Sequence, residues 1–388
     1  MASDDQRSNA SPSDPQASDP QVSDAQADDA NVSADAKNVV ESFADDHGVL
    51  DAVVPEALAE KVKATSRSGS KPDASSKKKK RKRFRAPRSR AARVTIAFAQ
   101  VVGVSYVALL VALVCLENRL VYPGAYFSDD NSYPVAGSFG VEKVEYSSED
   151  GTPLKGRLLH REGSSEYLIF FHGNGSKARW LDGQAGALSN AFDATVLLVE
   201  YRGYEDDATP SESSVLADCR AGREFLCDKY QCRPEDIILY GRSLGGGCAV
   251  AMASRGGAKA LVLDRTFDRL VDVAGDKYPF VPVSFLMRNR YDSVAKLTVY
   301  DGPLVMLHGD ADKLIPVENA RRLYDSAGCT PKQWIEVPGL GHNDALASTD
   351  LQQIVKAVQQ STQSAGSNEE AAASSQQPVD DDDNVRNL

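Results

Sequence analysis

The stretch Ile237-Ile238-Leu239-Tyr240-Gly241-Arg242-Ser243-Leu244-Gly245-Gly246-Gly247 reads as a buried strand that passes through a sharp turn into a helix. A serine at such a turn needs minimal side chains on either side, because the backbone takes φ values that crowd any Cβ. Gly241 and Gly245 supply that room. The strained turn lifts the Ser243 hydroxyl above the sheet and aims the next helix's N-terminus at negative charge forming beside it. This is the pattern of a nucleophile elbow. A lone G-x-S-x-G also arises by chance in glycine-rich loops, so its weight rests on its context and on partners downstream.

The context fits. The run Cys248-Ala249-Val250-Ala251-Met252-Ala253 is small and apolar, as a helix packed close to a sheet requires, and Ala260-Leu261-Val262-Leu263 reads as a second buried strand. His342 follows in Pro338-Gly339-Leu340-Gly341-His342-Asn343-Asp344, after the strand Gln333-Trp334-Ile335-Glu336-Val337. Between serine and histidine lies Leu304-Val305-Met306-Leu307-His308-Gly309-Asp310-Ala311-Asp312, an apolar strand that ends in an acidic loop. The order of candidates is serine, aspartate, histidine. Asp310 and Asp312 both suit the acid's place, and Asp312 also suits a cap before Ile315-Pro316-Val317. Asp344 reads as a helix cap for Ala345-Leu346-Ala347.

Five segments together resemble the α/β-hydrolase superfamily: the elbow, His172-Gly173-Asn174-Gly175, Tyr201-Arg202-Gly203-Tyr204, His308-Gly309 with its acidic loop, and Gly341-His342-Asn343-Asp344. Within it the chain is similar to the membrane-anchored Bem-type (bud-emergence) branch, near the serine aminopeptidase-like hydrolases. The resemblance spans 141–358. It implies hydrolysis without naming a substrate, and it assigns the acid to Asp312, leaving Asp310 as a loop residue. Two departures stand out: Ser176-Lys177, where small residues and an asparagine are usual, and Glu205-Asp206, where a glycine is usual.

The expected chemistry follows from these groups. His342 takes the Ser243 proton during attack and returns it to the leaving group, and Asp312 holds the imidazole tautomer. The oxyanion meets the backbone N–H of Leu244 and that of Asn174 in the turn after Tyr167-Leu168-Ile169-Phe170-Phe171. Each such donor is worth roughly 3 to 4 kcal/mol. His172 is expected to order that turn rather than move protons, and His308 to be a packed, hydrogen-bonded residue. No metal or cofactor is expected, because this chemistry needs none and no His, Cys or carboxylate cluster has ligand spacing.

The rest of the chain sets location. Residues 1–76 are rich in Ser, Asp, Ala, Gln and Pro, and are expected to be a disordered acidic tail, with weak helical spacing at 39–62. Residues 77–93 carry eleven Lys or Arg, from Lys77 to Arg93, and no acid. Residues 94–116 then run 23 residues without a charge, enough at about 1.5 Å per residue to cross a bilayer's hydrocarbon core. The positive-inside rule keeps the basic side cytoplasmic, and the basic run is placed to contact anionic lipid. The domain at 125–360 then lies outside the cytoplasm, followed by a disordered acidic tail at 361–388. With a net charge of −11, the chain's acidic balance argues against a nucleic-acid substrate. Of six cysteines, Cys115 lies in the span and the other five form no metal pattern; Cys227 with Cys232 is one possible pair.

Strand signals around Val144 and Leu158, then at 167–171, 195–199, 237–240, 261–263, 304–307 and 334–337, alternate with helical stretches. The expected fold is α/β: a mostly parallel sheet with helices on both faces, opening with an antiparallel pair, and a short cap at 267–297. A small cap leaves the elbow open to a small-molecule, lipid or acyl substrate with an accessible ester, thioester or amide end. Two other readings stay open. One is an aminopeptidase-like amidase, with Glu205 as the candidate holder of a substrate amine. The other is a membrane-tethered binding protein that kept the fold and lost turnover.

Overall fold

Apolar runs of five to seven residues, broken by glycine, proline and polar turns, become strands because each buries one or both faces against helices. The computed structural model describes residues 89–127 and 140–375, with side chains to residue 367. Its strands are β1 (Val141–Ser147), β2 (Pro153–Leu159), β3 (Glu166–Phe171), β4 (Ala194–Val199), β5 (Ile237–Arg242), β6 (Ala260–Asp264), β7 (Leu304–Gly309) and β8 (Lys332–Val337). They form one sheet in the order β1-β2-β4-β3-β5-β6-β7-β8. The pairs β1–β2 and β2–β4 are antiparallel and the others parallel. Every strand expected from sequence is present.

The sheet's two faces are visible residue by residue. Ile169, Phe171, Leu261 and Leu263 join the core on one face, whereas Leu168, Phe170, Ala260 and Val262 join the core on the other. The first face packs against Val215 and Leu226 of Glu212–Tyr230, the helix from Leu244 to Gly256, and Leu323 of Val317–Ser326. The second packs against Leu188 of Asp182–Phe192 and Ile354 of Ser348–Ser375. Each fully buried Leu, Ile or Phe here contributes about 1.5 to 3 kcal/mol. In chain order the helices used below are α1 (Arg90–Cys115), α2 (Glu117–Val121), α3 (Glu212–Tyr230), α4 (Leu244–Gly256), α5 (Leu270–Lys277), α6 (Val283–Leu286) and α7 (Ser348–Ser375).

Helix α1 is long and apolar enough, by length and composition, to cross a membrane, and none of it is buried. Ser89 caps its start by accepting from the Ala92 N–H at 3.1 Å. The folded domain begins earlier than residue 125. Tyr122 is fully buried, and its hydroxyl lies 3.0 Å from both Asn289 Oδ1 and the Tyr291 hydroxyl. Glu117 is also buried, and α2 belongs to the domain because that carboxylate accepts from the N–H groups of Arg288 and Asn289 in the cap segment. The C-terminal boundary moves the other way. Helix α7 continues to Ser375, and buried Ser361 accepts from Gln333 Nε2 at 3.0 Å, so a boundary at 360 cuts a packed helix. The tail at 1–76 with its weak helical spacing, most of the basic run, and 376–388 lie outside the described residues.

The cap is short, as expected, and built from α5 and α6 with their flanking loops. Its aromatics do not seal the elbow: Phe280 and Phe285 are 86% and 89% exposed. All six cysteines are free thiols, Cys227 and Cys232 included.

Candidate active site

Ser243 sits between β5 and α4 with φ 55° and ψ −120°, a conformation that costs a non-glycine residue about 1 to 3 kcal/mol. Neighbours fix it there. Its N–H donates to the Asp264 carbonyl at 3.0 Å, and its carbonyl accepts from Thr266 Oγ1 at 2.8 Å and from the Gly246 N–H at 2.9 Å. The glycines serve a different need from the one expected. Neither Gly241 nor Gly245 has a left-handed φ; instead a Cβ on Gly245 would lie 2.0 Å from the Phe171 carbonyl oxygen, and one on Gly241 2.4 Å from that of Gly245. Close backbone approach demands glycine, and the unusual φ falls on the serine itself.

His342 Nε2 lies 3.0 Å from Ser243 Oγ, and its Nδ1 lies 2.7 Å from Asp312 Oδ2. An ionised carboxylate only accepts, so Nδ1–H donates and Nε2 is left to accept from the serine hydroxyl. The acid's other oxygen accepts from the N–H groups of Leu314 and Ile315, both at 2.9 Å. Its turn-capping reading and its pairing with histidine therefore hold together. Burial alone would raise the Asp312 pKa, but hydrogen bonds from His342 and Ile315 hold it below the usual aspartate value. Asp310 is exposed and accepts from the Gly339 N–H at 2.6 Å, away from the imidazole.

The turn at 172–175 runs beside the serine, since a Cβ on Gly173 would lie 3.9 Å from Ser243 Oγ. Leu244 opens α4 and is buried, at the end where a helix leaves its N–H groups unpaired. Asn174 is anchored from three sides: its Nδ2 donates to Val121 O at 2.8 Å, and its carbonyl accepts from Gly124 N and Tyr204 Oη, each at 2.9 Å. His172 is buried with Nε2 at 3.1 Å from Glu200 Oε1, an ordering role for the turn. His308 is buried with Nε2 at 2.9 Å from the Ile315 carbonyl, as expected. Glu205 lies 3.7 Å from Arg179, and Asp206 caps its own turn by accepting from the N–H groups of Gly203 and Ala208. Asp344 is not a helix cap. Helix α7 starts only at Ser348, and the Asp344 carboxylate accepts from the Gly341 N–H at 2.7 Å, tying the histidine's own loop.

Sequence reading missed the residues that hold this geometry. Glu200 accepts from Ala178 N at 2.7 Å and Tyr201 N at 3.0 Å besides facing His172. Arg265, 1% exposed with φ 49°, pairs with Asp264 at 2.7 Å and donates to carbonyls in the His342 loop. Arg242 Nη2 reaches the His342 carbonyl at 3.1 Å. The available signal was a charge placed directly after an all-apolar strand, in Leu197-Leu198-Val199-Glu200 and Leu261-Val262-Leu263-Asp264-Arg265.

No family model matches the chain. It is 30% identical over 232 residues to the uncharacterized protein Rv2307c of Mycobacterium tuberculosis, covering 59% of this chain and 81% of that one. Protein bem46 of Schizosaccharomyces pombe is 26% identical over 254 residues, covering 62% of this chain and 84% of its own. Among solved structures, an alpha-beta hydrolase from Vibrio vulnificus has a TM-score of 0.48 at 19% identity, covering 63% of this chain and 91% of its own. The elbow at the centre of this sheet, the partners after β7 and β8 and the similarity to bem46 agree: the chain belongs to the α/β-hydrolase superfamily, in its Bem branch.

Proposed function

We propose that this hydrolase is a membrane-anchored serine enzyme that cleaves a carboxylic ester, thioester or amide through an acyl-enzyme on Ser243. The observation that carries the reading is the relay of Ser243 Oγ, His342 and Asp312 with contacts of 3.0 and 2.7 Å. The hydroxyl loses its proton to His342 Nε2 as Oγ attacks the carbonyl carbon. The tetrahedral oxyanion faces the N–H groups of Leu244 and Asn174. His342 then protonates the leaving group, and the bond to it breaks. A water, deprotonated by the same nitrogen, attacks the acyl-enzyme and frees the acid and the serine.

The pairing of Glu205 with Arg179 favours an uncharged acyl ester or thioester over a substrate held by its amine. Helix α1 and the basic run before it support a single-pass anchor with the N-terminus in the cytoplasm and the catalytic domain outside.

The test is labelling of the detergent-solubilised full chain by a fluorophosphonate. Labelling of the wild type that disappears in Ser243→Ala is expected. A folded wild type that stays unlabelled overturns the reading in favour of a binding protein.

A further inference from the structure

Residues 278–287, Tyr-Pro-Phe-Val-Pro-Val-Ser-Phe-Leu-Met, form an uncharged stretch bounded by Lys277 and Arg288. Its two phenylalanines point away from the domain, Phe280 and Phe285 being the most exposed large hydrophobic residues among those described. Exposed apolar surface of this kind marks a place where something apolar belongs. Its position says what. The Tyr106 hydroxyl, inside α1, donates to the Phe280 carbonyl at 2.7 Å. Tyr106 lies nine residues before Cys115, about 13 Å along the helix, whereas half of a bilayer's hydrocarbon core is about 15 Å.

The other end of the stretch is fastened at the end of α1. Buried Glu117 accepts from the N–H groups of Arg288 and Asn289, both at 2.8 Å, and from Arg288 Nε at 3.1 Å. The stretch therefore reaches back beside the span from the polar level of Glu117 to the level of Tyr106. Its backbone suits a dry medium, in which unpaired N–H groups are costly. Two residues are prolines without an N–H, and the N–H groups of Val281, Val283, Phe285, Leu286 and Met287 bond to carbonyls at 278–283, so that only those of Phe280 and Ser284 remain, while Arg290, just beyond the stretch, donates to the Ser284 carbonyl at 2.8 Å.

Between this stretch and the end of α1 lies a cavity of about 290 Å³. Leu113 and Leu120 line one side, Leu286 and Met287 the other, and Asn174 of the turn beside Ser243 also lines it. That size is near the lower end for ligand sites, roughly 300 Å³, and the lining is mostly apolar, as an alkyl chain requires, with Lys277, Glu117 and Asn174 as its polar members. Glu117, also in the lining, has its carboxylate occupied by Arg288 and Asn289.

We propose that residues 278–287 are immersed in the leaflet beside the catalytic domain, and that the cavity between them and α1 receives the acyl chain of a membrane lipid ester entering sideways from the bilayer. This rests on the serine-hydrolase and membrane-anchor reading above. The span is then one wall of the substrate site as well as a tether, and carries the reactive carbonyl toward the turn at 172–175.

Two experiments on the full chain in phosphatidylcholine vesicles test it. A Phe280→Trp protein is expected to show emission, beyond that of Trp180 and Trp334, that is quenched by bromines on the lipid acyl chains; unquenched additional emission overturns the immersion. A fluorophosphonate with a long alkyl chain is expected to label the wild type at least about tenfold faster than a short-chain one, since each buried methylene is worth about 0.8 kcal/mol. Met287→Trp, which fills the cavity, brings that ratio toward one. Equal wild-type rates overturn the acyl-chain site while leaving the serine hydrolase intact, and no labelling by either probe overturns the hydrolase reading itself.

Discussion

Arg265 Nη1 donates to the Gly341 carbonyl oxygen at 3.0 Å across 76 residues of chain. The same nitrogen reaches the Asp344 carbonyl at 2.7 Å, so one guanidinium grips both flanks of His342. Its other nitrogens bond both oxygens of Asp264, which also accepts from the Tyr240 hydroxyl at 3.1 Å. A charge pair on the last residue of β6 and the one after it thus holds the histidine loop to the strand exit beside the serine.

Removing the arginine leaves a buried carboxylate without its partner. Arg265→Met is expected to destabilise the domain by about 3 to 5 kcal/mol, the usual cost of breaking a buried ion pair. Combining it with Asp264→Leu should recover part of that loss, because the uncompensated charge goes as well. Denaturant unfolding of the three proteins checks this, and a double variant no more stable than the single one refutes it.

Asp312 and Asp310 are two residues apart and should behave very differently. Asp312→Asn is expected to lower kcat by about 10⁴-fold through the wrong imidazole tautomer. Asp310→Asn keeps an oxygen that accepts from the Gly339 N–H and removes only the charge from an exposed hydrogen bond, so it should cost at most about tenfold. Steady-state ester hydrolysis by both variants decides between them.

Glu200 is predicted to act on the turn at 172–175 rather than on the substrate. Glu200→Gln exchanges one carboxylate oxygen for an NH₂ that faces N–H donors, and a misplaced turn is expected to lower kcat by about 10²-fold with little change in KM. A change confined to KM contradicts this assignment.

At Gly245 the constraint is space. Gly245→Ala drives a Cβ to 2.0 Å from the Phe171 carbonyl oxygen, and neither backbone yields cheaply. A loss of about 3 kcal/mol is expected, read as a lowered unfolding midpoint. Wild-type stability in this variant would show that the elbow can relax.

The pH dependence of stability has a predicted sign. Burial lowers the His308 pKa from its ordinary 6.5, so below pH 6.5 the unfolded chain binds a proton that the folded chain refuses. Stability therefore falls as pH drops from 6.5 toward the lower folded value, and is unaffected by this group above it. His308→Gln should flatten unfolding midpoints measured between pH 7 and pH 5 (about the range where histidine titrates); an unchanged slope refutes it.

Much of the fold was legible because buried strands leave a plain record. Tyr167 to Phe171 and Ile237 to Tyr240 are apolar throughout, since helices cover both faces of the sheet. The candidate site residues were legible for a similar reason: serine, acid and histidine each follow a strand end, and their order is fixed along the chain. Boundaries were less legible. Tyr122 and Ser361 look like linker and tail until Asn289 and Gln333 arrive beside them.

The sequence by itself determined the strands, the elbow, the order of the three candidate residues and a segment apolar enough to span a bilayer, because composition and local period carry each of these. The resemblance assigned the acid to Asp312, but only the tertiary structure brought it against His342, set Glu200 and Arg265 to hold the loops, and laid the cap along α1. Those contacts join residues 22 to 174 positions apart. Their partners are chosen by how the sheet brings strand ends together, and no local pattern records that choice.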